Sequence, residues 1–262
     1  MNTHDEIGFD ANTVHKRLEE NPFLKLSDIV ESVIEEEIVK LHIRPGEKIN
    51  TAKIAETLNV SRAPVREALK SLVDKGIVVV RPNINGYYAL DVTDQYMSDL
   101  FAARSAIESA ASMICATKFR SIDRAHLKDC CDAFRRAYKD SNYEGFIAAD
   151  NEFHQSIVKS AGNVFLTEMY NSLERPRQYY RAFSGYYLNI NGFSAFNDFE
   201  LLVNEHITIY NAISMGFIDV AGNAARHHLD TCLSSFIHHY LVSGMISLTG
   251  TKTGRAKLAW KK

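Results

Sequence analysis

The chain has 262 residues, of which 46% are apolar and 24% are charged, and its formal net charge is -2. This length predicts two domains with sizeable cores, and this charge excludes a polycation that binds nucleic acid in bulk. No apolar run reaches 18 residues and no secretory signal is recognisable near Met1, so we expect a cytoplasmic protein without membrane segments.

The first 27 residues are polar and lack a clear hydrophobic period, so they predict a mobile N-terminal arm with one short helix near residues 13–20. A helical stripe of apolar residues follows over residues 28–41. Asn50 can cap the next, shorter helix through its side chain. Asn59 then occupies a helix-stop position, where a residue that tolerates left-handed backbone is favoured.

The stretch that follows has the chemistry of a DNA-reading helix. Ser61 can serve as its N-cap through its hydroxyl, and Pro64 falls in the first turn, where a missing N–H matters little. Apolar residues at helical spacing form one face, whereas Arg62, Arg66 and Lys70, each four apart, line the other. A helix with an apolar back and a basic front suits the major groove.

A hairpin is predicted next, with strands at residues 77–80 and 87–90 joined by a turn. Helix, turn, helix and hairpin in this order indicate a winged helix-turn-helix, and they make a basic surface helix in another small α-domain the weaker alternative. The predicted DNA-contacting set combines the reading helix and the wing: Ser61, Arg62, Ala63, Pro64, Arg66, Lys70, Arg81, Asn85 and Gly86.

From Asp94 onward every periodic segment predicts a helix, so an all-α antiparallel bundle is expected after a linker at residues 91–93. The four cysteines lack metal-ligand spacing and are expected to be reduced core thiols. The domain is predicted to span residues 93–245, and the basic tail 246–262 is expected to be disordered. The predicted helices are 94–119, 121–140 capped by Ser121, 143–160, 164–184, 196–215 and 218–242, with a loop over 185–194.

Four polar residues lie on apolar faces of these helices: Asp150, His154, His206 and His228. Asp150 and His154 are four apart, which places them on one face of a helix. Three imidazoles and a carboxylate from three helices could form a site for a divalent transition metal. Taken singly, however, a histidine on an apolar face is more often a hydrogen-bonded core residue, and ten histidines are available. The residues alone leave both interpretations open.

The first domain contains three distinctive motifs: Arg44-Pro45-Gly46, Ile54-Ala55-Glu56 with Leu58, and the run from Val60 to Leu69, VSRAPVREAL. Through these motifs, residues 28–92 resemble the winged-helix domain of the GntR family of bacterial transcription regulators. Ala52 stands where some members place a DNA-contacting arginine, so fewer contacts from the first helix of the motif are expected.

The helical part of the chain contains four further motifs: Arg104 to Glu108, Asp150 to His154 with Gly162-Asn163, Asn204 to His206, and His228-Leu229. Through these motifs, residues 94–242 resemble the FCD domain, the effector-binding bundle of the FadR subfamily. Many members bind a metal through one Asp and three His, so the resemblance implies a divalent transition metal (Zn, Ni, Mn or Fe) held by Asp150, His154, His206 and His228.

Candidates for effector binding are arginines and a tyrosine near the expected cavity. Arg104 lies on the apolar stripe of the first bundle helix, where its guanidinium could bind a carboxylate in bidentate geometry. An ion pair with Glu108, one turn on, is an equal alternative. Arg177, Tyr180 and Arg181 could also line the pocket, although a solvated helix face is the preferred interpretation for them.

The sequence therefore predicts a homodimeric transcription regulator, more often a repressor, that binds a pseudo-palindromic operator in double-stranded DNA. A small organic acid bound at the metal and Arg104 would control it. One alternative is an FCD regulator whose metal is purely structural. The other is a metal-dependent hydrolase with Glu205 as general base, which leaves the winged helix unexplained, so no enzyme is expected.

Overall fold

The computed structural model describes residues 11–81, 84–191 and 199–242, and the chain divides into two compact units, Met1–Val92 and Thr93–Lys262. The predicted fold class is confirmed, because helices dominate both units and the only sheet in the described ranges is small. None of the described helices combines the length and the apolar character needed to cross a bilayer. The predicted basic tail lies outside the described residues.

The first unit is a winged helix-turn-helix. The elements are α1 (Ala11–Glu20), α2 (Leu26–Val39), β1 (Lys48–Ile49), α3 (Thr51–Thr57), α4 (Arg62–Asp74), β2 (Val78–Arg81) and β3 (Ile84–Ala89). The three strands form one antiparallel sheet in the order β1-β3-β2. Sequence patterning missed β1, because two residues are too few to show an alternation.

The short helix predicted near residues 13–20 of the N-terminal arm is present as α1, and it packs on α2. Val14 on α1 is only 3% exposed. Arg17 donates to Ser32 Oγ at 2.9 Å and to Glu36 Oε1 at 2.5 Å, so α1 is attached by a polar contact as well as by an apolar one. The part of the predicted arm before residue 11 lies outside the described residues.

Two of the three local signals predicted for the helix-turn-helix are present. Asn50 caps α3 by accepting hydrogen bonds from the Ala52 and Lys53 N–H groups, both at 3.1 Å, and Asn59 has the expected left-handed φ of 51°. Ser61 occupies the N-cap position of α4, but its side chain makes no capping hydrogen bond, so that detail was wrong. At an exposed helix end, water can satisfy the same first-turn N–H groups.

The second unit is a helical bundle whose described helices are α5 (Asp94–Thr117), α6 (Arg124–Lys139), α7 (Tyr143–Ala161), α8 (Val164–Ser172), α9 (Glu174–Asn191), α10 (Phe199–Ser214) and α11 (Ile218–Val242). Helix α5 packs against α7 and α11, and α10 packs against α6 and α11. The apolar core includes Ile107, Phe153 and Ile209, and the four cysteines are free and buried, as expected.

The described part of this unit has seven helices where six were predicted. The predicted helix 164–184 is broken at Leu173, because Pro176 has no N–H to donate to the carbonyl four residues earlier and can stand only in a first turn. The predicted loop 185–194 is helical as far as Asn191. Ser121 does not cap α6; Asp123 does, by accepting from the His126 N–H at 2.9 Å.

Candidate metal centre and nucleic-acid interface

The four predicted metal ligands converge inside the second unit. Their ligand atoms all lie within 4.8 Å of one another. His154 Nε2 lies 3.3 Å from His206 Nε2 and 3.2 Å from His228 Nε2. Asp150 Oδ1 lies 3.5 Å from His154 Nε2 and 3.3 Å from His206 Nε2. Two ligands about 2.1 Å from one ion, at roughly 90–110°, are about 3.0–3.4 Å apart, so the spacing fits four ligands of one metal.

Three helices place these side chains. Asp150 and His154 are one turn apart on α7, whereas His206 comes from α10 and His228 from α11. The histidines are almost fully buried, at 4%, 1% and 0% exposure respectively. Three imidazole nitrogens and one carboxylate oxygen thus face one another inside the bundle, a donor set that could hold a shared cation.

Acceptors outside the cluster orient the three rings. A ring whose Nδ1–H is bound by an oxygen must present its Nε2 lone pair on the other side, and here that side is the centre of the cluster. The Leu202 carbonyl lies 3.0 Å from His206 Nδ1 and Glu205 Oε2 lies 3.0 Å from His228 Nδ1, both at hydrogen-bond distance, while Glu108 Oε2 forms an ion pair with His154 Nδ1 at 2.6 Å.

The electrostatics of the cluster favour a carboxylate and neutral imidazoles at two positions. Burial would raise the pKa of Asp150, but His154 and His206 hold that pKa well below its usual value. Burial lowers the pKa of His206, and burial with two neighbouring imidazoles lowers that of His228 further. His154 differs, because Glu108 and Asp150 outweigh burial and raise its pKa to about 9. A metal would have to displace a proton only there.

Glu108 links the cluster to Arg104. Arg104 is 4% exposed, and its Nε donates to Glu108 Oε1 at 2.8 Å, so the ion-pair alternative is the one observed. The other oxygen of Glu108 faces His154. Burial would raise the pKa of Glu108, but Arg104 and His154 lower it to about 2. A single ionised carboxylate therefore joins a candidate effector residue and a candidate metal ligand.

The candidate residues of α9 face the protein interior, so their preferred interpretation as a solvated face was wrong. Arg177 is 3% exposed. Tyr180 is half-buried and makes an edge contact with Phe101, with ring centroids 5.1 Å apart. Arg181 donates to Asn151 Oδ1 at 2.7 Å, which brings α9 beside Asp150 on α7. The sequence could have indicated this inward face through its aromatic content.

The predicted DNA-contacting residues lie on the surface of the first unit. On α4, Pro64 is half-buried, whereas the other five candidates are exposed: Ser61, Arg62, Ala63, Arg66 and Lys70. Arg81 is partly engaged within the unit, since its guanidinium lies 4.5 Å from the Tyr88 ring centroid. Asn85 is exposed, and Gly86 has a φ of 129° with Lys48 so close that a Cβ would lie 2.9 Å from its Cε.

Glu108 and Glu205 contact the candidate metal ligands, and neither contact is predicted by the sequence. The sequence suggests Glu205 only as the general base of a hydrolase. Its oxygens lie 3.0 Å from His228 Nδ1 and 2.8 Å from Thr231 Oγ1, on the outer side of the His228 ring. A carboxylate in that position orients a ligand and does not face the metal-binding centre.

Both units match known protein families. Residues 26–85 match the gntR family of bacterial regulatory proteins, and residues 99–231, which are half of the chain, match the FCD domain. The fold and the site thus define a helix-turn-helix regulator with a helical C-terminal domain. The chain belongs to the gntR family, as a member with an FCD domain, and it is a DNA-binding transcription regulator and not an enzyme.

Two curated relatives cover most of this chain. An uncharacterized HTH-type transcriptional regulator in an unstable DNA locus of Streptomyces ambofaciens is 28% identical over 196 residues, which cover 73% of this chain and 77% of the relative. The HTH-type transcriptional repressor RspR of Escherichia coli K12 is 24% identical over 209 residues, which cover 80% of this chain and 88% of the relative.

Solved structures share the fold. A GntR-type transcriptional regulator from Rhodococcus sp. RHA1 aligns with a TM-score of 0.61 at 19% identity, over 81% of this chain and 97% of that one. McbR/YncC of E. coli aligns with the same TM-score of 0.61 at 19% identity, over 83% of this chain and 100% of that one.

Proposed function

We propose that this regulator is a homodimeric repressor of a metabolic operon and that a small carboxylate bound at a metal centre controls its affinity for operator DNA. The observation that carries the proposal is the cluster of Asp150, His154, His206 and His228, whose ligand atoms converge while an oxygen outside the cluster lies against the Nδ1 of each ring. The name of the relative RspR, a transcriptional repressor, supports the direction of control.

The metal is assigned to these four residues. A carboxylate and three imidazoles suit a divalent transition ion such as Zn, Ni, Mn or Fe, and the ion would supply a Lewis-acidic position for an oxygen of the effector. Because the four ligands come from α7, α10 and α11, metal binding also ties three helices together.

The effector is assigned to the side of the cluster where α5 and α9 lie. Arg104 uses Nε for Glu108, and a guanidinium has two further terminal nitrogens that can bind a carboxylate. Tyr180 lies next to it, with its ring centroid 5.9 Å from the Arg104 guanidinium carbon. Arg177 and Arg181 are held on the same face of α9 by Glu174.

The DNA-reading role is assigned to the exposed face of α4. Arg62 and Arg66 would read guanine edges, and Lys70 would contact phosphate. Ser61 can donate to a phosphate, since its side chain makes no capping bond. A dimer carries two such helices, which favours a pseudo-palindromic operator.

Operator titrations of the zinc-loaded full-length protein test the proposal. We expect a carboxylate effector to weaken operator binding by about 5–150-fold, and operator to weaken effector binding by the same factor, because linkage is reciprocal. A purely structural metal gives another result: chelation then lowers the melting temperature, but no carboxylate changes operator affinity. Equal effector affinity with and without operator would remove the allosteric part of the proposal.

A further inference from the structure

Arg177 is buried with most of its hydrogen-bonding capacity unused. It is 3% exposed, and among the described residues its Nε and Nη1 atoms have no hydrogen-bond partner. Its Nη2 atom is paired with Glu174. A buried guanidinium that leaves two nitrogens unpaired is costly, so a site that keeps one is expected to present it to a ligand.

The position of Arg177 is held firmly by its neighbours. Its guanidinium carbon lies 3.5 Å from the ring centroid of Tyr170, which is itself 2% exposed. Stacking on a ring face leaves the in-plane N–H groups of an arginine free to bind an oxyanion. The stacked guanidinium is therefore already oriented before any ligand arrives.

The charge around Arg177 is not balanced by the contacts described for it. Glu174 binds Arg177 and also accepts from Arg181 Nη2 at 2.8 Å, so one carboxylate serves two guanidinium groups. The third contact of Glu174 is with Gln178, at 3.1 Å, which carries no charge. These four side chains together carry one excess positive charge, which one acidic group of a ligand would neutralise.

Arg177 belongs to the side of the bundle where the metal centre lies. Arg181, one turn on, bonds Asn151, the residue after Asp150. Burial and the negative charge of Glu108 raise the pKa of the Tyr170 hydroxyl, while Arg104 and Arg177 oppose that rise. Tyr170 is thus within electrostatic reach of both arginines and of the acid that faces His154.

We infer that Arg177 is a second anion-binding point and that the effector carries two acidic groups, one for the metal centre and one for Arg177. This inference rests on the proposed function. Arg104 is the less suitable second anchor, because its Nε is already bonded to Glu108. The second acidic group is an oxyanion, either a carboxylate or a phosphate, since both match the guanidinium fork.

The test measures binding of chosen acids to the zinc-loaded full-length protein by calorimetry. The probes are butyrate, the dicarboxylates from malonate to glutarate, and phosphoglycolate. We expect at least one diacid to bind about 10–100-fold more tightly than butyrate, as a charge-assisted hydrogen bond allows. Comparing the affinities for succinate and phosphoglycolate then decides whether the second acidic group is a carboxylate or a phosphate.

Substitution shows whether Arg177 is the source of that preference. In Arg177→Met the advantage of the diacid over butyrate should disappear, as measured by the ratio of the two affinities in the same variant. Arg175→Met, on the same helix and half-buried, is the matched control and should keep the full advantage. Arg177→Lys, which keeps the charge but not the fork, should retain only part of it. If Arg177→Met fails to fold, the affinities of the wild-type protein and of Arg177→Lys for the same acids still show whether Arg177 favours diacids.

The possible failures are distinguishable. Diacids that bind the wild-type protein no more tightly than butyrate overturn the second anion-binding point and leave the metal-bound carboxylate intact. A diacid advantage that survives in Arg177→Met overturns the assignment to this residue. If neither butyrate nor any diacid binds the zinc-loaded protein, the proposed function itself is wrong.

Discussion

The two units of this regulator place their functional residues in opposite environments. On α4 the candidate DNA-reading side chains are exposed and the apolar residues behind them are buried, so function and stability use different faces of one helix. In the bundle the candidate metal ligands are themselves buried in the apolar core. Exposed functional side chains therefore need only a local sequence pattern that places them on the outer face of a helix. Buried polar side chains also need hydrogen-bond or ion-pair partners from distant segments of the chain.

The largest expected effect comes from removing two imidazoles from the buried site. His206→Ala combined with His228→Ala should abolish metal binding and lower the melting temperature, because an ion present at 100 times its dissociation constant adds about 2.7 kcal/mol to the stability of the folded state. Metal analysis and thermal unfolding measure both effects. His227→Ala is the control, since its side chain is 73% exposed. Full metal occupancy in the double variant would rule out the assigned site.

A change on the exposed face should affect DNA binding without affecting stability. Arg66→Ala is expected to weaken operator binding by about 1–3 kcal/mol and to relax the preference at one base pair. Operator and random DNA should be titrated in parallel, with unfolding measured alongside. If affinity for both DNAs falls equally, Arg66 contacts phosphate only.

Glu108 links Arg104 to the candidate metal ligand His154, so changing Glu108 should alter metal affinity although all four candidate metal ligands remain. Glu108→Gln should lower metal affinity by about 10–100-fold, because the oxygen that orients His154 loses its charge. Competition with a chromogenic chelator measures this affinity. Glu200→Gln, on the exposed side of α10, should leave it unchanged. Metal affinity that is unaltered in Glu108→Gln would show that α7 orients His154 without Glu108.

The smallest effect is expected at the cap of α3. Asn50→Ala removes an acceptor used by two N–H groups and should lower the free energy of unfolding by about 1 kcal/mol. Operator affinity should stay constant while the protein is folded. A loss of DNA affinity larger than the loss of stability would mean that α3 takes part in binding.

Most of the first unit could be predicted from sequence because its signals are local. Each signal depends only on residues close to it in the sequence. They are the helix cap at Asn50, the left-handed backbone at Asn59 and the helical periodicity of residues 60–72. The break before α9 in the second unit also has a local cause, because Pro176 has no N–H to continue the preceding helix.

The sequence predicted the candidate metal centre only in part. The spacing of Asp150 and His154 and the resemblance to a known domain predicted which side chains converge. That Glu108 faces His154, that Glu205 holds His228, and that Arg177 is buried against Tyr170 were decided by the packing of the bundle. Glu108 and His154 are far apart along the chain, and only tertiary structure determines which distant polar groups satisfy each other once water is excluded.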